Sequence, residues 1–121
     1  MSNAAQAYAR TSATTASPRE IEAQALLKAA RQLQEVRTNW TGPGKAMDDA
    51  LLFNRRLWSI FMSAAQGDDN PQPLEIRQNI ANIGVFVMKQ TIDMQMNPDP
   101  AKLKSLIDIN CNLAAGLSGR G

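Results

Sequence analysis

Four stretches of the chain repeat apolar residues at helical spacing, and each is fenced by residues that break helices. The first opens at "SPRE". Ser17 is an N-cap candidate, Pro18 suits the first helical position, and Glu20 completes a capping box. From there Ala25, Leu26, Ala29, Leu33, Val36 and Trp40 line one face. Glu20, Gln24, Lys28, Arg31 and Glu35 take the other side, and "TGPG" ends the helix near Trp40. The second stretch runs from about Ala46 to Gln66, with Asp48 and Asp49 complementing its N-terminal dipole. Ala50, Phe53, Leu57, Ile60, Phe61 and Ala64 form its main face, which Leu51, Trp58 and Met62 widen. "GDDNPQP" stops it.

The third stretch, "PLEIRQNIANIGVFVMKQTIDM" from Pro73, is apolar on two sides. Ile76, Ile80, Ile83, Val87 and Met94 share one face, and Ala81, Val85, Met88 and Ile92 form a second stripe roughly opposite. It stops at "NPDP", because Pro98 disfavours helix at Asn97. Asp99 and Pro100 then cap a fourth helix, on which Leu103, Leu106, Ile107, Asn110, Ala114 and Leu117 share a face. Strand-period alternation and internal repeats are lacking. The pattern predicts an all-α fold, a small four-helix bundle whose central member is the doubly apolar third helix. Residues 17–117 make one helical domain. Residues 1–16 are small and polar, with Tyr8 the only sizeable side chain, and read as a mobile or short-helical segment; 118–121 read as a frayed tail. Ser2 to Ala4 can be the remnant of an expression tag and carry no weight.

A chain of 121 residues is long enough for one self-sufficient core. Its 13 basic and 11 acidic side chains leave a net charge of only +2, and the longest basic run is Arg55-Arg56. That is a poor footprint for nucleic acid, which needs a clustered basic surface. One cysteine, Cys111, rules out an intrachain disulfide and fits a reducing compartment. The absence of a long apolar run and of a secretory h-region points to a cytoplasmic protein without a membrane span.

The search for chemistry is nearly empty. Without histidine there is no imidazole base, nucleophile partner or metal ligand. The adjacent pairs Asp48-Asp49 and Asp68-Asp69 diverge and suit a helix start and a polar loop. "GDDN" lacks the alternating ligands of a calcium loop, and "TGPGK" lacks P-loop spacing. Neither enzymatic activity nor a metal or cofactor is expected. Cys111, close to the apolar face of helix four, reads as a buried, inert thiol. Asn110 is odd on an apolar face. It is either a core amide bonded to the backbone of a neighbouring helix or a polar contact to a partner. Trp58 is core filling or, beside Arg55 and Arg56, an interface anchor.

Taken together, "SPRE" opening a helix, "FNRRLWSIF", "DNPQPLEIRQNIANIGVFVMK" and a short final helix ending "AAGL" resemble the FlaF family of flagellar biosynthesis regulators, from about Ser17 to Leu117. The landmarks are Leu57-Trp58 and Ile83-Gly84. The resemblance implies a role in alphaproteobacterial flagella, promoting flagellin production and filament assembly. It implies action on flagellin as an export chaperone, opposite a companion translational repressor, FlbT. The alternative is post-transcriptional control through FlbT or flagellin mRNA; self-association is a third reading. The family has no established catalytic residues, so the candidate site rests on helix geometry. The Ile76, Ile80, Ile83, Val87 face is expected to pack against helices one and four. The Val85, Met88, Ile92 stripe should then meet Trp58 and Met62 around a groove edged by Asn54, Arg55, Asn82, Lys89 and Asp93. That groove would receive an amphipathic flagellin segment, Gly84 letting a helix approach closely.

Overall fold

The computed structural model describes residues 17–67, 69–70 and 72–119. Among them it contains four helices and no strand, as the periodicity predicts: α1 (Pro18–Thr38), α2 (Lys45–Ala65), α3 (Leu74–Met96) and α4 (Leu103–Leu117). The expectations for residues 1–16 and for the last two residues lie outside the described residues.

Local chemistry sets the boundaries. The Ser17 hydroxyl accepts from the Glu20 N–H at 3.1 Å, satisfying one of the orphan donors at the start of α1. Gly42, at φ 114°, turns the chain where an L side chain would be strained. At the other end of α2, Asn70 Nδ2 donates to the Ala64 carbonyl at 2.8 Å. The Arg77 guanidinium reaches the carbonyls of Ala65, Gly67 and Gln72, so a cation from α3 covers the negative end of the α2 dipole. After α3, Asp99 Oδ1 accepts from the Ala101 N–H at 2.9 Å and caps a 3-10 turn, Pro100–Lys102, that runs into α4. Lys102 pairs with Asp93 at 2.8 Å and donates to the Asn97 carbonyl at 2.7 Å, tying that corner together. Ser118 and Gly119 close α4 with bonds to the Ala114 and Gly116 carbonyls.

A small cavity shows how the helices run. It is lined by Glu22 near the start of α1, Phe61 near the end of α2, Ile80 early in α3, and Leu113 and Leu117 at the end of α4. Starts of odd helices and ends of even ones thus share one pole, which is up-down-up-down topology. α1 packs most extensively on α4; α2 packs on α3 and α1. α3 meets α4 sparsely.

The central helix is therefore α2, not α3. Its buried residues are Met47, Ala50, Leu51, Asn54, Trp58, Phe61 and Ala65. The face expected from the sequence is rotated from this one: Phe53 and Leu57 are half-buried, Ala64 is exposed, and Ile60 is 64 % exposed. The true stripe contains a polar residue, Asn54, and so was masked as a polar edge. On α3 only Gly84, Val87, Thr91 and Met94 are buried. Ile80 is half-buried against the core, but Ile76 and Ile83 are exposed, contrary to the expected packing on α1 and α4. Cys111 is also exposed. It follows Asn110 by one helical step of about 100°, enough to leave the buried face.

Candidate docking surface on the third helix

At the centre of the molecule three side chains decide what is core and what is surface. Trp58 Nε1 donates to Asn110 Oδ1 at 2.9 Å, and Asn110 Nδ2 donates to Asn54 Oδ1 at 2.7 Å. An indole N–H can only donate, so it fixes the Asn110 amide, which in turn fixes that of Asn54. All three residues are fully buried. Trp58 also meets the Phe61 ring edge-on, with centroids 5.7 Å apart. Asn110 is thus a core amide, satisfied by side chains of α2 rather than by backbone. Trp58 and Asn54, both expected on the partner surface, cannot line it, because both are fully buried in the interior; Asn54 Oδ1 is bonded to Asn110, while its Nδ2 has no partner among the described residues.

The remaining candidates separate by depth. Met62 is half-buried beneath Gly84: a Cβ added to that glycine would lie 2.5 Å from Met62 Cγ and Sδ. Gly84 does permit close approach, as expected, and the approaching element is α2. Met88 is half-buried against the core. Arg55, Asn82, Val85, Lys89 and Ile92 are exposed.

Seven of the nine exposed large apolar residues of the described chain lie on α3: Leu74, Ile76, Ile83, Val85, Phe86, Ile92 and Met96. Their register divides them. Leu74, Val85, Ile92 and Met96 continue through Ala81 and Met88 as one stripe along the helix. Ile76, Ile83 and Phe86 lie on the other flank. Between them, Glu75, Asn82 and Lys89 repeat every seven residues and form a polar ridge. Sequence reasoning named the centre of the first stripe, Val85, Met88 and Ile92. It missed the ends, Leu74 and Met96, although the same i, i+4 and i+7 spacing leads to both. It also missed Phe86, which the apolar pattern assigns to neither stripe.

A larger cleft, about 670 Å³, opens at the opposite pole between the end of α1 and the start of α2. Trp40, Pro43, Lys45 and Phe53 are among its walls, and none of the expected partner-binding residues reaches it. Lys45 there is held charged by its bond to Asp49, which raises its pKa. Among the described residues no three metal-ligating side chains come together, and no helix is long and apolar enough to cross a membrane.

Fold and surface define a small all-α bundle with an apolar helix side turned outward. The family model described as "Flagellar protein FlaF" matches residues 4–117. The chain belongs to the FlaF family and is a flagellar protein. No curated protein and no solved structure matches it.

Proposed function

We propose that this flagellar protein is a non-enzymatic, cytoplasmic partner of flagellin, an export chaperone that promotes flagellin production and filament assembly. The observation that carries the reading is the exposed apolar stripe of α3, Leu74 to Met96, beside a polar ridge. An amphipathic segment unfolded before assembly can lay its apolar face on such a stripe and its polar face along the ridge, at the cost of ordering itself. The thioether of Met88 tolerates imperfectly matched side chains. The reading needs no cofactor and no metal.

Calorimetric titration with unassembled flagellin tests it. A complex is expected, with a negative heat-capacity change from buried apolar surface. It should be lost when the terminal segments of flagellin are removed. No complex, or a complex indifferent to those segments, would overturn the reading. A sequence-selective complex of the pure protein with flagellin mRNA at physiological salt would favour RNA-level control instead, and capture of FlbT alone would favour the repressor as partner.

A further inference from the structure

We propose that the outward side of α3 is the interface of a homodimer, in which two copies lie antiparallel about a twofold axis beside Asn82. Seven large apolar side chains exposed on one 23-residue helix mark an interaction surface. Their arrangement names the occupant, because the face complements itself. The polar ridge reads Glu75, Asn82, Lys89: an anion, a neutral amide and a cation, seven residues apart. A twofold axis at Asn82 sets Glu75 against the partner's Lys89, and Lys89 against the partner's Glu75. All three residues are exposed, and neither charge has an ion-pair partner among the described residues. At the axis Asn82 meets the partner's Asn82. The two amides can bond each other and fix the register, as a single buried Asn does in coiled coils. With the axis normal to the plane of the two helices, each flank faces its own copy. On one flank Ile92 falls opposite the partner's Leu74, and Val85 opposite the partner's Ala81. On the other, Phe86 falls opposite the partner's Ile76, and Ile83 meets the partner's Ile83. Each match holds within about 3 Å along the helix axis. Of the seven apolar residues, Met96 alone lies beyond the matched span. A parallel pair would instead set Glu75 against Glu75 and Lys89 against Lys89. One helix pair is a small interface, so the dimer is reversible.

The second copy takes the same side of α3 as the flagellin reading but does not rest on it, and the test needs no flagellin. Sedimentation of the full chain over a dilution series should show a monomer–dimer equilibrium. Glu75→Lys alone and Lys89→Glu alone bring like charges together at both pairs, and each should weaken the dimer about tenfold. Mixing these two variants should restore association as a heterodimer, and combining both changes in one chain should restore the homodimer. In a Cys111→Ser background, Asn82→Cys should cross-link to its own copy on oxidation. Glu75→Cys should not, because its two copies stand about 21 Å apart along the helices. All four positions are exposed, so the substitutions spare the core. A chain that sediments as a monomer throughout, charge reversals without effect on the dimer, or equal cross-linking through positions 75 and 82 would overturn the proposal. Dimers of this register in a chain that ignores flagellin uphold it and remove the chaperone reading; flagellin binding by a strict monomer does the reverse.

Discussion

At the scale of single residues, the sequence pointed to Asn110 but hid Asn54. An asparagine amid leucines is conspicuous because burying it unpaired is costly. Asn54 sits beside Arg55 and Arg56 and looks like part of a solvated edge. Only its bond to Asn110, 56 positions along the chain, explains why it is inside. Long-range pairing of that kind leaves no local trace. The network makes a sharp prediction. Asn110→Ala strands the Trp58 N–H and the Asn54 Oδ1 in the interior and should cost about 2–5 kcal/mol in urea unfolding. Trp58→Phe keeps most of the volume but leaves the Asn110 oxygen unpaired, and should cost about 1–3 kcal/mol. If both variants unfold like the wild type, the network does not hold the core. Trp58 is therefore a stability residue, and its loss is not a test of partner binding.

At the scale of helices, number, order and breaks were legible because Ser17-Pro18, "TGPG", "GDDNPQP" and "NPDP" act locally. Which face turns inward was less so. A helix with apolar residues on most of its circumference offers several inward faces, and the choice depends on its neighbours. α3 turned inward the stripe that contains its smallest residue, Gly84, because that is where α2 approaches closest. Gly84→Ala should therefore force Met62 to shift or α2 and α3 apart, at about 1–3 kcal/mol. Combining it with Met62→Ala should cost less than the sum of the single changes, a coupling expected only for residues in contact. Additive losses in thermal or urea melts would place the close approach elsewhere.

At the scale of the molecule, the bundle gathers four helix ends around Glu22, whose partial burial raises its pKa against a smaller opposing effect of Arg19. A carboxyl with a folded pKa above its unfolded one favours the fold when protonated, so this contribution is lost as pH rises through that interval. Glu22→Gln should melt higher than wild type at pH 7, and the gap should close on acidification below the ordinary glutamate range, about 4.3. A gap that persists or grows in acid would contradict the assignment. What remained illegible from sequence was that the Ile76 and Ile83 flank of α3 also turns outward, since core and surface stripes share one apolar alphabet. The central claim is that this outward stripe is the partner surface, and paired melts and flagellin titrations of Val85→Asp and Ile92→Asp test it most directly. Both positions are about half exposed, so stability should stay within about 0.5 kcal/mol of wild type. Flagellin affinity should fall by tenfold or more, a loss of about 1.4 kcal/mol or greater. Variants that stay folded and still bind flagellin as the wild type does would contradict the account.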